Sequence, residues 1–323
     1  MFDVCALGEL LIDWTPSGRN EQGVALFGQN PGGAPANVLA MTTKLGGKTV
    51  FIGKVGGDAF GGYLEKTLLD AGIDASGLIK DPRYLTTLAF VNLTEAGDRS
   101  FSFYRRQGAD LMLEWDEINK TLIDSAKIFH FGSLSLTDEP CRQTTHKAVS
   151  YAKSNGKIVS YDPNYRPLLW KNQDEAAREI VRLIPQADIL KVSEEEMELI
   201  TGKRSIEAGA AELAAQGPAV VLVSLGREGA FFCCAAGSAH LKTYDVKTID
   251  TTGAGDAFLG AILYKLKDKS RGQLESISKD ELSAIVDFGN AAGSLTTAKR
   301  GAIPALPLKN EIETLLSEKK RLL

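Results

Sequence analysis

The sequence predicts an α/β fold, in which helices cover both faces of a mostly parallel β-sheet. Along most of the 323 residues, short and continuously apolar runs alternate with segments whose apolar positions recur at helical spacing. This alternation is typical of parallel strands that are joined by crossover helices. A composition of 44% hydrophobic and 24% charged residues is that of an ordinary globular chain with a large core. We expect a single domain over residues 1–323.

The predicted elements follow one another in order. Strand-like runs lie at residues 4–11, 50–55, 127–134, 158–162, 189–193 and 220–225. Amphipathic helices lie between them, at residues 35–45, 61–71, 140–154, 175–184 and 206–215. A further helix begins at about Ala254, because Phe258, Ile262 and Leu266 recur at intervals of four residues.

Two stretches break this alternation and predict a small β-sheet lid. Residues 86–106 contain two strands around a turn at residues 95–98, and period-two counting places Phe101, Phe103 and Arg105 on one face. A second pair of strands lies at residues 12–16 and 24–27. A hairpin alone is only marginally stable, so we expect this sheet to pack over a ligand cleft or another subunit. The lid strands are thus inserted at about residues 12–30 and 86–106.

Charge and cysteine content exclude several classes of function. A net charge of −4 provides no basic field for nucleic acid or an anionic membrane, and no apolar run approaches the length of a membrane span. The three histidines have no metal-ligand spacing, which argues against zinc chemistry. The four cysteines form no CxxC pair, and the chain starts with a strand-like run rather than a signal peptide. We therefore expect a cytoplasmic protein with free thiols.

The most informative stretch is “TIDTTGAGDAFLGAILYKL”, residues 248–266. Unpaired backbone N–H groups and the helix dipole favour negative charge at a helix start, and glycines let an anion approach closely. We therefore expect the amides of Gly253, Ala254 and Gly255 to stabilise a transferring phosphoryl group, while Asp256 accepts the proton of an attacking hydroxyl. Asp256 could alternatively be an ordinary first-turn aspartate, but that interpretation leaves the bare turn before it unexplained.

These residues carry a resemblance to a known family. “DTTGAGDAF” resembles the second signature of the ribokinase-like sugar kinases of the phosphofructokinase-B type, and residues 32–58 resemble the first, although Leu39 stands where a small residue is usual. The similarity extends from residue 8 to about residue 307. “GELLIDW”, “FYRRQGADLML” and “GAIPALP” resemble fructokinases more narrowly. The resemblance implies a three-layer α/β/α sandwich with a β lid, and an ATP-dependent kinase that phosphorylates the primary hydroxyl of fructose.

The resemblance also implies where the sugar binds. Asp13, which we expect to end the first strand, and Asn37, in the first turn of the next helix, would hold sugar hydroxyls together with the backbone of Gly32 and Gly33. Three further side chains are expected to line the cleft, although arginines are commonly solvated surface residues; they are Tyr104, Arg105 and Arg166. In relatives that phosphorylate sugar acids, equivalent arginines reach the substrate carboxylate.

Nucleotide and metal contacts follow from the same resemblance. The residues expected at ATP are Ser193, Ser224, Gly226, Gly229 and Asn290. Magnesium is expected because phosphates need charge neutralisation, and Glu196 would act on it through water. A potassium ion would lie at Asp250 and Thr252 with carbonyls near Thr296, Lys299 and Gly301. Ala305 stands where some relatives supply a serine ligand, so potassium activation is left open.

Several rival functions stay open at this point. A 2-keto-3-deoxygluconate kinase and an aminoimidazole riboside kinase share the motifs, while a non-catalytic sugar sensor would not need Asp256. A purely structural protein would bind no ATP. The resemblance to this family also implies a homodimer joined through the lid strands.

Overall fold

The main sheet has the predicted architecture. The computed structural model of the chain describes residues 1–93, 99–318 and 321, and in these ranges one nine-stranded sheet has the order β13-β12-β11-β10-β9-β8-β1-β4-β5. Neighbours from β11 to β5 are parallel, whereas β12 and β13 are antiparallel. The strand bounds are β1 Phe2–Leu7, β4 Thr49–Gly56, β5 Asp74–Asp81, β8 Ala126–Gly132, β9 Ile158–Asp162, β10 Ile189–Ser193, β11 Val220–Ser224, β12 Ala230–Cys234 and β13 Gly237–Leu241.

Alternating side chains of the main sheet belong to two separate cores. In β1, Val4 and Ala6 are buried in one core, while Cys5 and Leu7 are buried in the other. Helices α1, α2, α8, α9, α10 and α11 contribute to the first core, and α3, α4, α5, α6 and α7 contribute to the second. The helix bounds are α1 Ala34–Lys44, α2 Ala59–Asp70, α3 Lys120–Asp124, α4 Cys141–Ser154, α5 Gln173–Leu183, α6 Glu194–Thr201, α7 Ile206–Ala214, α8 Ala254–Leu266, α9 Arg271–Glu275, α10 Lys279–Thr297 and α11 Lys309–Glu318. The predicted α/β/α fold class is confirmed.

A second, small sheet is formed by the two stretches that break the alternation. Its order is β3-β2-β6-β7, with β2 Leu11–Arg19, β3 Ala25–Gly32, β6 Leu88–Leu93 and β7 Arg99–Tyr104. The two hairpins join through a parallel pairing of β2 with β6. Trp14 of β2 packs its ring against Phe60 of α2, which fixes the small sheet to the main body. The predicted turn at residues 95–98 and the side chain of Phe101 lie outside the described residues.

One predicted boundary is wrong. The apolar run at residues 4–11 contains the end of β1 at Leu7 and the start of β2 at Leu11. Asp13 is therefore a residue of β2 in the small sheet and does not end the first strand. Residues on both sides of the break are buried and apolar, so the run looks continuous in the sequence. Gly8 is the one turn residue in it that marks the change of sheet. In the described part of the chain, no helix combines the length and the apolarity that a bilayer crossing requires.

Candidate active site

A cavity of about 1050 Å³ separates the small sheet from the carboxyl edge of the main sheet. Residues of β2 and β3 form one wall, and Phe103 of β7 contributes to it. The opposite wall is formed by the segments that follow β9 and β10 and by the start of α8. Open α/β sheets bind ligands at this edge, so the cavity lies where the fold class predicts a site.

Asp256 lies in this wall, in the first turn of α8. The helix begins after Gly253, whose φ of 75° is in the left-handed region that favours glycine. A Cβ at Gly253 would also lie 2.6 Å from the Cβ of Ala302. Ala254 donates its N–H to the carbonyl of Thr251 at 3.3 Å, whereas the amides of Gly253 and Gly255 have no acceptor among the described residues. These two amides therefore present the unpaired donors that an anion needs.

Two amide side chains hold the carboxylate of Asp256. Asn37 of α1 donates Nδ2 to Oδ2 at 2.8 Å, and Asn164, in the segment after β9, donates Nδ2 to Oδ1 at 3.3 Å. The carboxylate is 7% exposed, and its burial raises the pKa of Asp256 above the ordinary value, while Asn37, Lys191 and Arg166 act in the opposite direction. A raised pKa makes this carboxylate a better proton acceptor than an ordinary aspartate.

A buried lysine lies beside the glycine turn, residues 253–255. The Nζ of Lys191 in β10 is 3.0 Å from Asp162 and only 3.3 Å from the position of a Cβ on Gly255. Burial alone would lower the pKa of Lys191, but Asp162, Glu196 and Asp256 outweigh it, and the net pKa is raised. Lys191 therefore stays protonated and places a positive charge against the start of α8.

Of the residues predicted to bind the sugar, Asp13 would act through its side chain, and Gly32 and Gly33 through their backbone. Asp13 lines the cavity, and burial raises its pKa to about 6. Gly32 is paired with Leu11 in the small sheet, and a Cβ there would collide with the carboxylate of Asp13. Gly33 lines the cavity with a φ of 122°, and a Cβ at this position would collide with the carbonyl of Glu9. Both glycines are thus required by close packing around two acidic residues.

The three cleft side chains have different surroundings. Arg166 is exposed and lines the cavity. Arg105 is only 5% exposed and lies outside the cavity lining, since its guanidinium binds Asp110, Thr137 and the carbonyl of Leu134. Tyr104 is 67% exposed and lies outside the lining too, with its ring against Phe90.

Of the residues predicted to bind the nucleotide, Ser193 lines the cavity and the others lie beyond its lining. Ser193 lines it and pairs with Ser224 across β10 and β11. A turn with Gly226 at φ 55° and Gly229 at φ 93° then follows β11. Gly229 lies against the carbonyl of Leu241, which also accepts a hydrogen bond from Asn290 at 3.1 Å. The predicted nucleotide residues therefore form a continuous path along one end of the sheet.

Glu196 is occupied by backbone donors. Its Oε2 accepts the N–H of Ser193 at 2.7 Å, and its Oε1 accepts the N–H of Tyr165 at 2.6 Å. Ser193 and Glu196 form a capping box at the start of α6. Burial raises the pKa of Glu196.

The predicted potassium residues surround one carboxylate. Asp250 accepts hydrogen bonds from the N–H and hydroxyl of Thr252 and from the N–H of Gly301, at 2.7–3.0 Å. Thr296 is fully buried in α10, where its hydroxyl binds the carbonyl of Ala292. The N–H of Lys299 donates to the carbonyl of Thr296 at 3.4 Å. Asp250, Thr252 and Gly301 line the cavity, and Thr296 and Lys299 lie outside the lining.

Comparison with known proteins identifies the family. A family model described as pfkB family carbohydrate kinase matches residues 1–309. The chain belongs to this family. It is 42% identical over 319 residues to a probable fructokinase-2 from Arabidopsis thaliana, covering 97% of the chain and 95% of the relative.

Two solved structures share the whole fold of this pfkB-family kinase. A fructokinase with bound ATP from Xylella fastidiosa is 31% identical, with a TM-score of 0.91 and 99% of each chain covered. A fructokinase double mutant from Vibrio cholerae O395, in a form with fructose, ADP and potassium ion bound, is 34% identical, with a TM-score of 0.86 and 97% of each chain covered. The predicted family is confirmed.

Sequence reasoning missed three residues that this pfkB-family kinase brings to the cavity. Lys191 is an isolated lysine in an apolar strand, and Glu9 stands in an apolar run. Asn164 lies shortly after β9 and reaches Asp256 from a left-handed backbone with φ 49°. Asparagine adopts a left-handed backbone more readily than most residues. The available signal in the sequence was therefore an asparagine shortly after a buried strand.

Proposed function

We propose that this protein is an ATP-dependent fructokinase, which transfers the γ-phosphoryl group of ATP to the primary hydroxyl of fructose and yields fructose 6-phosphate and ADP. The observation that carries the proposal is Asp256, a buried carboxylate of raised pKa held by two amide side chains beside unpaired amides at the start of α8. The Xylella and Vibrio relatives are named fructokinases and the Arabidopsis relative a probable fructokinase, which supports fructose as the substrate.

The first step is removal of a proton from the sugar. The primary hydroxyl gives its proton to Asp256 while its oxygen forms a bond to the γ-phosphorus, and the bond from that phosphorus to the β–γ bridging oxygen breaks to release ADP. Asn37 and Asn164 hold the carboxylate in place for this transfer. Asp13, across the cavity in β2, accepts hydrogen bonds from other hydroxyls of the sugar.

The second requirement is stabilisation of charge on the transferring group. The unpaired amides of Gly253 and Gly255 are the donors available to it, and the ammonium of Lys191 adds a positive charge beside Gly255. Both oxygens of Glu196 already accept backbone N–H groups, so magnesium would be held by the phosphates of ATP and would reach Glu196 only through water. When bound, magnesium supplies further neutralisation of phosphate charge.

A potassium ion is proposed beside the loop at Asp250. The potassium-bound form of the Vibrio fructokinase supports this, together with the carboxylate of Asp250, which lines the cavity and is held by the N–H groups of Thr252 and Gly301. The check is turnover in potassium against tetramethylammonium at equal ionic strength, and equal turnover would exclude activation by potassium.

We also propose a cytoplasmic homodimer joined through the small sheets. Apolar side chains on the small sheet are exposed, among them Leu26 at 44%, Phe27 at 40% and Tyr104 at 67%. Free cysteines and the use of ATP support the cytoplasm. Light scattering of the wild type and of a Phe27→Ser variant tests the assembly, and a monomeric wild type would exclude it.

The deciding experiment measures ADP release with ATP and magnesium against three acceptors. These are fructose, 2-keto-3-deoxygluconate and aminoimidazole riboside, and we expect the highest kcat/KM for fructose. A preference for the sugar acid would overturn the proposed substrate and make Arg166 its carboxylate partner. No turnover of any of the three would remove the kinase proposal and favour a sugar sensor.

A further inference from the structure

Asp162 is a buried acid whose one partner belongs to the wall of the cavity. It is the last residue of β9, is 1% exposed and lies outside the cavity lining. The Nζ of Lys191, in the neighbouring strand β10, lies 3.1 Å from its Oδ1 and 3.0 Å from its Oδ2. Among the described residues no further donor reaches either oxygen. This carboxylate therefore interacts with Lys191 and with nothing else in the described part of the chain.

Other buried aspartates of this protein also hold the backbone. Asp81 accepts the N–H of Arg83 at 3.0 Å, and Asp188 accepts a backbone N–H at 2.9 Å. Asp162 accepts no such bond from the described residues. A buried ion pair is by itself weak evidence for stability, because the cost of removing two charges from water offsets their attraction. The pair of Asp162 with Lys191 therefore points to a role besides stability.

The ammonium of Lys191 has several carboxylates within its influence. It lines the cavity 3.3 Å from the position of a Cβ on Gly255, whose N–H is unpaired among the described residues. Glu196 and Asp256 also attract it, although its ion pair in the described chain is with Asp162 alone. A lysine side chain is flexible. Without Asp162 it would move toward Asp256 and pair with the carboxylate that must accept the sugar proton.

We propose that Asp162 is a positioning residue, which holds the ammonium of Lys191 against the glycine turn so that it meets the transferring phosphoryl group. This proposal rests on the proposed function and adds to it a residue that touches neither the sugar nor ATP. Charge stabilisation is effective when the stabilising groups are fixed before the reaction starts. Asp162 fixes the ammonium from behind the cavity wall and keeps it from pairing with Asp256.

The test is a double-mutant cycle of Asp162→Asn with Lys191→Met, measured as ADP release. Asparagine keeps the size of the side chain and an acceptor for the ammonium, but it removes the charge. In the wild-type background, Asp162→Asn should lower kcat about 10- to 100-fold with little change in KM for the sugar, because the ammonium is misplaced. In the Lys191→Met background the same substitution should change kcat by less than about twofold.

Two results of this cycle would overturn the proposal. Equal losses of kcat in both backgrounds would mean that Asp162 acts through its own loop and not through the lysine, and no loss in the wild-type background would mean that it does not act on the reaction. Urea unfolding of all four proteins completes the cycle, since each single variant leaves a buried charge unpaired and the double variant does not. Coupling in unfolding free energy without coupling in kcat would reduce the pair to a structural one.

The pH profile of kcat is a second readout, which also decides the question if Lys191→Met does not fold. The ionisable side chains around the ammonium are Asp162 of β9, Glu196 of α6, Asp256 of α8, His130 of β8 and, acting on the first and third of these, Arg166. Burial lowers the pKa of Lys191, but the three acids outweigh it and raise the pKa overall, while burial lowers the pKa of His130 to about 3 and keeps it neutral.

The expected change in this profile has a definite sign. Removing the charge of Asp162 lowers the pKa of Lys191, so the ammonium is lost at a lower pH than in the wild type. The alkaline decline of kcat in Asp162→Asn should therefore begin at a lower pH, in assays between about pH 6 and pH 10. A decline at the same pH in both proteins, with only the plateau lowered, would contradict a role through the lysine.

Asp81→Asn is the matched control. Asp81 pairs with Lys54 of β4 at 3.3 Å, their side chains are 4% and 1% exposed, and both residues lie outside the cavity lining. This variant also removes the charge of a buried aspartate that is paired with a strand lysine. It should lose stability and keep the kcat and the pH profile of the wild type, and a shifted profile here would assign the shift to any loss of a buried charge.

Wild-type turnover separates this proposal from the proposed function. The cycle is run with whichever of fructose, 2-keto-3-deoxygluconate and aminoimidazole riboside the wild type phosphorylates, because charge on the phosphoryl group does not depend on the acceptor. Turnover of another acceptor would remove fructose alone. No turnover of any of the three would remove the kinase proposal and the role of Asp162 together, whereas turnover with additive losses would remove the role of Asp162 alone.

Discussion

Two buried clusters of charge in this protein differ in how completely they are partnered. Around Lys54 in β4, the ammonium is 1% exposed and reaches Asp81 at 3.3 Å, Glu117 at 2.7 Å and the carbonyl of Met112 at 2.7 Å. Hydrogen bonds from Arg83 lead the causes that hold the pKa of Asp81 below its ordinary value. Every proton of this lysine therefore has an acceptor.

The cluster at the cavity has the opposite balance. Burial raises the pKa of Asp162, Glu196 and Asp256, and the cations that oppose this change do not outweigh it. A cluster matched in charge stabilises the fold, while an excess of buried carboxylates costs stability and is typical of a functional site. Burial alone therefore does not identify a site; here the raised pKa values of Glu196 and Asp256 coincide with a cavity that both residues line.

The largest effect is expected from Asp256→Asn at the cavity. An amide cannot accept the sugar proton, so kcat should fall about 10²- to 10⁴-fold while fructose and ATP still bind. Removing a buried carboxylate of raised pKa should not lower thermal stability. The measurements are ADP release, calorimetric titration of both ligands and thermal unfolding. A kcat within tenfold of the wild type would mean that the base is elsewhere.

Lys54→Met should have its effect on stability instead. The substitution removes the buried cation that Asp81 and Glu117 share and leaves them the exposed Arg83, and breaking such a buried pair costs about 3–5 kcal/mol of unfolding free energy. The folded fraction should keep the wild-type kcat, because Lys54 lies outside the cavity lining. Urea unfolding and activity of the same sample measure both quantities.

The matched control for this variant is Lys66→Met. Lys66 forms an exposed pair with Asp70, with side chains 72% and 64% exposed, and such a pair contributes less than about 1 kcal/mol. If the two lysine variants lose the same unfolding free energy, the buried ion pairs of Lys54 stabilise the fold no more than an exposed pair does. A large loss of kcat in Lys54→Met would also erase the distinction between the clusters.

Features that are local in the sequence could be predicted, whereas contacts between distant segments could not. The glycine turn and Asp256 are contiguous, so the role proposed for them could be inferred from local spacing and the helix that follows. Inner strands such as β4 and β9 could be predicted because they are buried on both faces and therefore mostly apolar, whereas the partly exposed strands β5 and β13 were not among the predicted runs. Contacts between distant segments have no such signal.

Three residues illustrate this limit. Asn164 meets Asp256 from 92 positions away, and Lys191 reaches the glycine turn only because β10 ends opposite α8. Arg105 was expected in the cleft, yet Asp110, five residues further on, binds its guanidinium away from the cavity lining. Such partners are determined by tertiary packing and not by local pattern.

The pH dependence of stability should have opposite signs in the two regions. Burial raises the pKa of Asp13 from 3.8 to about 6, so between these values the folded state keeps a proton that the unfolded state has lost. Stability contributed by this group therefore falls as pH rises from about 4 to about 6. Asp13→Asn should gain unfolding free energy relative to wild type across this interval, by at most about 3 kcal/mol.

Asp81→Asn is the opposite case. The lowered pKa of Asp81 contributes stability above its unfolded pKa, and this contribution is lost as pH falls. The variant should therefore lose a constant amount of stability from pH 7 down to about pH 4 and recover toward the wild type only below that pH. Urea unfolding between pH 2 and pH 7 measures both differences, and parallel curves for the two variants would contradict the contrast.

The smallest effect is expected at Asn164, whose hydrogen bond to Asp256 is long at 3.3 Å. Asn164→Gly and Asn164→Ala both remove the amide, so both should lower kcat by about tenfold or less through looser placement of the base. They differ in backbone, because φ is 49° here and alanine in this region costs about 1–2 kcal/mol more than glycine. Asn164→Ala should therefore unfold at a lower urea concentration than Asn164→Gly. If kcat follows the stability difference instead of falling equally in both, Asn164 acts by shaping its loop, and Asn37 alone positions Asp256.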